Sequence, residues 1–168
     1  ERFSLGRVGS SPATFDYAKL DWMNGVYLRA LPPEEFAERL VGYLREQGVG
    51  WPEEGVRAAG AIVQEKIGRL SEFPDFARFL FEPVEPDPEL LDERILGAAE
   101  TALERAEPWT AEGIETALKA LCEELGEKPR TVFGPIRVAV TGARVSPGLY
   151  ESLELLGRET SLDRIGRG

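Results

Sequence analysis

Apolar residues recur three or four positions apart along most of this chain, with polar residues between them. Such spacing puts the apolar side chains on one face of an α-helix, which turns about once every 3.6 residues. Phe15, Leu20, Met23, Val26 and Tyr27 predict a short helix ending near Ala30. Pro32 and Pro33 punctuate the chain, and Pro33 suits the first turn of a helix carrying Phe36, Leu40, Val41 and Leu44 as far as Gly48. A third stripe runs through Val56, Ala59, Val63, Ile67 and Leu70, and the stretch from Phe73 to Phe81 predicts a further short helix. Residues 83–88 hold three prolines, too many for a helix interior, and mark the strongest boundary in the chain.

Beyond it, Leu90, Leu91, Ile95, Ala98 and Leu103 predict a long helix closed by Pro108. Thr110, three residues before Gly113, is a candidate N-cap for the next helix, which carries Ile114, Leu118, Leu121, Cys122 and Leu125 up to Gly126. The segment Thr131 to Val140 is rich in β-branched residues, yet no second strand-like run exists to pair with it. It is therefore expected to be helical or irregular, interrupted near Pro135. A last helix is expected to open near Pro147 and to carry Leu149, Leu153 and Leu156 before Gly157. The expected fold class is all-α: two small helical subdomains, 32–83 and 84–168, preceded by a helical segment, 1–31, whose first dozen residues read as an irregular connector.

Composition narrows the chemistry. Among 168 residues there is no histidine and a single cysteine. A Cys/His zinc site, a Ser-His-Asp or Cys-His nucleophile and a disulfide framework are therefore excluded within this chain. Cys122, inside an apolar helical stripe, reads as a core thiol in a reducing compartment, so a cytoplasmic location is expected. No apolar run approaches a membrane span, and Glu1-Arg2-Phe3-Ser4 lacks a signal-peptide core. The absent initiator methionine suggests a piece of a longer chain. Paired carboxylates such as Glu34/Glu35, Glu53/Glu54 and Glu123/Glu124 fall at helix starts or on solvated faces, where acids are expected on dipole and solubility grounds. Gly6-x-x-Gly9 lacks the lysine and hydroxyl residue of a phosphate loop. A hydrolase working through paired carboxylates has no support beyond their number.

Charge changes the picture more. The net charge of −10 argues on average against nucleic acid. Yet residues 128–150 contain Lys128, Arg130, Arg137 and Arg144 and no acid, a local balance of +4 that leaves −14 on the remainder. A basic island beside Phe133 and other apolar residues fits a single-stranded RNA loop, whose bases stack while cations hold its phosphates. The simpler alternative is that these four are ordinary surface charges with acidic partners elsewhere.

Three segments together resemble the C-terminal region of bacterial glutamyl-tRNA synthetases. They are Phe3-Ser4-Leu5-x-Arg7-Val8 with Pro12-Ala13-x-Phe15-Asp16-x-x-Lys19-Leu20-x-Trp22-Met23-Asn24-Gly25-x-Tyr27; Leu70-Ser71-Glu72-Phe73; and Pro135 to Gly142 with Pro147-Gly148-Leu149-Tyr150-Glu151 and Leu155-Leu156-Gly157. The resemblance covers essentially the whole chain. It implies a stem-contact segment followed by two helical anticodon-binding subdomains. The catalytic half, with its HIGH and KMSKS motifs and its ATP and magnesium, lies outside this sequence. The chain is then expected to hold no cofactor and to perform no aminoacylation, the parent enzyme being a glutamate–tRNA ligase. The partners implied are tRNA(Glu) and, through the residue at position 66, tRNA(Gln); a monomer is expected, with no membrane partner.

By the register from Leu70-x-Glu72-Phe73, the position that reads the third anticodon base in this family falls on Lys66. Discriminating members have arginine there. Lysine is a flexible point charge where arginine is a planar fork, so the resemblance implies relaxed reading. Around the other two anticodon bases the family's pattern falls on Arg137, Ser146, Pro147 and Leu149, with Gly134 offering only backbone. Arg7, Lys19, Asn24, Lys128, Arg130 and Arg144 are expected stem or backbone contacts. Simpler roles compete. Lys66 could be a solvated helix residue, Arg137 could pair with an acid of a neighbouring helix, Pro147 could be helix punctuation, Leu149 could be core, and Trp22 and Tyr27 are expected in the core. The competing function class is an acidic helical module that docks a basic protein partner.

Overall fold

The computed structural model describes residues 17–168, and among these every regular element is helical. Nine α-helices follow one another among the described residues: α1 Tyr17–Ala30, α2 Pro33–Glu46, α3 Glu53–Val63, α4 Phe73–Ala77, α5 Glu93–Glu104, α6 Ala111–Leu125, α7 Pro129–Thr141, α8 Leu149–Leu156 and α9 Arg158–Gly166. Single turns of 3₁₀-helix flank α4 and precede α5. None of these helices is long and apolar enough to cross a membrane.

The boundaries follow local chemistry. Pro33 opens α2, where its missing N–H costs nothing. The Asp92 side chain accepts the Ile95 N–H (3.1 Å) and starts α5 after Leu90 and Leu91, while Thr110 Oγ1 accepts the Gly113 N–H (3.3 Å) and starts α6. Gly126 and Gly142 end α6 and α7 at φ of 66° and 71°, the left-handed region that side chains avoid.

Two apolar cores form. Phe36, Leu40, Val56, Val63, Ile67 and Phe73 centre the first, between α2, α3 and α4, and Leu28 and Leu31 at the end of α1 join it. Trp51 stacks on Phe81 at 4.5 Å between ring centres and closes its edge. Ile95, Leu103, Ile114, Leu118, Ile136, Leu153 and Ile165 centre the second, among α5 to α9. Cys122 lies within it, buried, and burial pushes its thiol above the usual pKa. Arg164 of α9 ties the two together: its Nη1 donates to the Val140 carbonyl (2.7 Å) and its Nη2 to the Glu82 carbonyl (3.3 Å).

Gly113 lies against the backbone of the turn before α6. A Cβ there would stand 2.1 Å from the Pro108 carbonyl oxygen, a backbone atom with nowhere to go. Alanine favours a helix over glycine by about 1 kcal/mol. Overpacking of this severity costs about 1–3 kcal/mol, so the clash wins and Gly113→Ala is expected to lower stability, read as an earlier denaturant midpoint.

Several sequence expectations need correction. The helix over Pro129–Thr141 is continuous, with Pro135 inside it. The residue before a proline normally avoids helical backbone because its Cβ meets the proline ring. Here that residue is Gly134, which has no Cβ. The helix at Leu149 is not the last, since α9 follows; its stripe, Ser161, Leu162 and Ile165, is too short and too polar to register as a period. The third stripe does not stay helical to Leu70, because α3 stops at Val63 and residues 64–66 form a turn. The chain beyond α3 is used as a tether: Gln64 Nε2 donates to the carbonyls of Leu28 and Leu31 (both 2.9 Å), and Asn24 Nδ2 donates to that of Gly68. Trp22 and Tyr27 are not core. They are 66% and 50% exposed, because α1 meets the first core only through Gly25 and Leu28, leaving its other apolar residues outside. Arg39 instead lies over the Tyr27 ring, 5.1 Å from its centre.

Candidate nucleic-acid interface

The acid-free segment folds into α7 and the loop that joins it to α8. Residues 130, 134 and 137 are spaced four and three apart, so Arg130, Gly134 and Arg137 share one face of α7. Gly134 leaves an opening between the two arginines, with nothing within 4 Å of where a Cβ would stand. Lys128 precedes the first turn of that helix, and Arg144 projects from the loop at its other end; both are exposed. Phe133 packs edge-on against Tyr150, 5.8 Å between ring centres, which braces α7 on α8.

Arg137 is half-buried. Its Nη1 donates to Ser146 Oγ (2.5 Å) and to the Pro147 carbonyl (2.8 Å), so it fastens the loop to the helix across nine and ten residues of sequence. Burial pulls its guanidinium below the ordinary arginine pKa, while Tyr150 and Glu151 act in the opposite direction. It does not form an ion pair with an acid of a neighbouring helix among the described residues. Thr141 completes the clamp: its hydroxyl donates to the Arg137 carbonyl (2.8 Å) and accepts the Ala143 N–H (3.3 Å). Sequence reading missed Thr141; a hydroxyl residue directly before a helix-ending glycine is the signal that marks it.

The remaining expected contacts divide. Pro147 and Leu149 are buried, and Leu149, at 4% exposure, is part of the second core. Its side chain is packing, not a surface for a base. Asn24 spends its amide on Gly68, so it is a tether of α1 rather than an open donor. Lys19 is exposed on α1, and Arg7 lies outside the described residues. Lys66 stands exposed on the turn after α3, not on a helix, its N–H donating to the Val63 carbonyl (2.8 Å). It lies on the surface beside the first core, next to the buried Ile67, and no hydrogen bond joins it to the α7 cluster among the described residues.

The pairing of charges separates the two readings of the basic island. Arg39, Arg45, Arg69, Arg78, Arg94, Lys119, Arg158 and Arg167 each have a carboxylate partner. Lys128, Arg130, Arg137, Arg144 and Lys66 have none among the described residues. Arg29, Arg57, Arg105 and Arg164 have none either, so what sets Lys128, Arg130, Arg137 and Arg144 apart is that they lie together in a stretch free of acids, where their field is not cancelled locally.

An all-α module with an unpaired basic helix face and a clamped loop has the character of a structured RNA-binding domain, and the comparison of families agrees. The model of the anticodon binding domain matches residues 35–168, and the chain belongs to that family. Among curated relatives, the glutamate–tRNA ligase of Saccharopolyspora erythraea is 48% identical over 181 residues, covering 98% of this chain and 36% of the relative. That of Acidothermus cellulolyticus is 44% identical over 185 residues, with the same two coverages. The chain thus spans about a third of the length of these relatives. A glutamate tRNA ligase from Elizabethkingia meningosepticum, solved in complex with its amino acid, shares the fold: TM-score 0.79 at 21% identity, covering 99% of this chain and 34% of that one.

Proposed function

We propose that this chain is the part of a glutamate–tRNA ligase that holds the anticodon loop of tRNA(Glu), and that ATP and magnesium chemistry belongs to a catalytic portion outside it. The observation that supports the reading is that Lys128, Arg130, Arg137 and Arg144 stand together in an acid-free stretch on α7 and its loop with no carboxylate partner among the described residues. Phosphates of a loop supply the missing partners, and unstacked bases supply specificity. The test is binding of the chain to tRNA(Glu) and to an unrelated tRNA across a salt series. Tighter binding to tRNA(Glu), falling steeply with salt, is the expected result. Equal affinity for both, or none, would overturn it.

Lys66 gives the reading a specificity consequence. A flexible ammonium on an exposed turn fixes less hydrogen-bond geometry than a guanidinium fork does. A ligase carrying this segment is expected to charge tRNA(Gln) as well as tRNA(Glu), and Lys66→Arg is expected to reduce the tRNA(Gln) rate while leaving that for tRNA(Glu) nearly unchanged. Aminoacylation of the two tRNAs side by side checks this; absence of tRNA(Gln) charging in the parent enzyme would rule out the role.

A further inference from the structure

The loop from Gly142 to Gly148 is anchored on either side of its middle. Gly142 closes α7 with its N–H on the Val138 carbonyl (2.8 Å), while Thr141 and Arg137 fix Ala143, Ser146 and Pro147. Between those anchors stand Arg144 and Val145. Val145 is 73% exposed, the highest value among the exposed large apolar side chains of the described residues. Six of the other seven lie on α1, so Val145 is the one that stands in the acid-free segment.

An isolated exposed valine is ordinary. One presented at the tip of a clamped loop, next to an unpaired arginine, is a surface of defined chemistry: an apolar contact with a positive charge at its side. The clamp matters because a contact residue fixed in advance loses little conformational freedom on binding. Its partner must combine a flat apolar face with a nearby negative charge, as an unpaired nucleobase and its phosphate do. We infer that Val145 is a base-contacting residue, packing against an unpaired base of the bound RNA loop while Arg144 holds the adjoining phosphate, and that Arg137 acts here as a positioning residue through its clamp on Ser146 and Pro147. This rests on the RNA-binding reading and adds to it a contact residue and the kind of nucleotide it meets, one outside a helix.

Two RNAs test it with the chain as it stands: a hairpin whose single-stranded loop carries the glutamate anticodon, and a fully paired duplex of the same length. Val145→Ala is expected to weaken hairpin binding by about three- to ten-fold, less than removal of an aromatic platform would, and to leave duplex binding unchanged. The slope of log affinity against log salt should stay that of the parent chain, because no charge is removed, whereas Arg144→Ala should make it shallower by about one phosphate's worth. An unaltered thermal midpoint for Val145→Ala shows that the fold is untouched. If Val145→Ala binds the hairpin as the parent does, or weakens hairpin and duplex alike, the base contact is overturned while the wider reading stands. If the parent chain fails to bind the hairpin at all, both fall together.

Discussion

Replacing Lys128, Arg130 and Arg144 together by glutamine is expected to abolish most of the affinity for tRNA while leaving the fold intact. All three are exposed and unpaired among the described residues, so their removal breaks no ion pair. Every phosphate that goes without its cation should make the salt dependence shallower by roughly 0.7–0.9, so the slope of the triple variant should drop by about two to three. Affinity at low salt should fall by at least about ten-fold, since that is where the electrostatic contribution is largest. Filter binding or fluorescence titration over a salt series measures both quantities. An unchanged slope would mean that the RNA does not meet α7. Circular dichroism supplies the control, because none of the three side chains belongs to either core.

The second large effect lies in the fold. Gln64 is buried, 7% exposed, and its amide satisfies the carbonyls of Leu28 and Leu31 at once. Gln64→Ala leaves the Leu31 carbonyl without a donor and the Leu28 carbonyl with only the Leu31 N–H (3.3 Å), and a loss of about 1–3 kcal/mol is expected in urea unfolding. Gln64→Glu sharpens the test. A carboxylate in that place would face two carbonyl oxygens and could donate to them only when protonated, so its folded-state pKa should be raised above the ordinary value of about 4.3. A group with a raised folded pKa contributes stability that is present below the unfolded pKa and lost as pH rises through the folded one. Gln64→Glu should therefore approach the parent chain near pH 4 and fall progressively behind it towards pH 7, whereas Gln64→Ala should show no such pH dependence. Parallel behaviour of the two variants would remove Gln64 from the role of tether.

The sequence carried most of the helices because their start and stop signals are local. Thr110 and Gly126 act within three or four residues, each where the pattern places it, whereas Asp92 and Gly142 act as locally but go unmarked by periodicity, which runs the α5 stripe back to Leu90. What escaped depends on tertiary context. Periodicity marks Trp22 and Tyr27 as apolar helix positions, but only the placement of α1 across the first core decides that Leu28 is covered and they are not. Pro135 reads as a break until Gly134 is weighed beside it. The site divides along the same line. A stretch without acids is visible in the letters, but the shared face of Arg130 and Arg137 is not, because it needs the helix to continue through Pro135. The clamp of Arg137 on Ser146 and Pro147 is not, because it depends on a loop that closes over nine residues, and a surface reading of Leu149 gives way to its place in the second core.

Arg164 has a consequence for how the chain meets a large and curved partner. Lys66 stands exposed beside the first core, and Lys128, Arg130 and Arg144 stand exposed beside the second, so a single RNA loop held as proposed has to match the separation between them. One guanidinium, bonded to the end of α7 at Val140 and to Glu82 just before the proline-rich connector, joins the packing of α3 on α8 in holding that separation. On the proposed RNA-binding reading, the two cationic surfaces would act as the jaws of a caliper with its opening held, and loop size would be felt before any base is read.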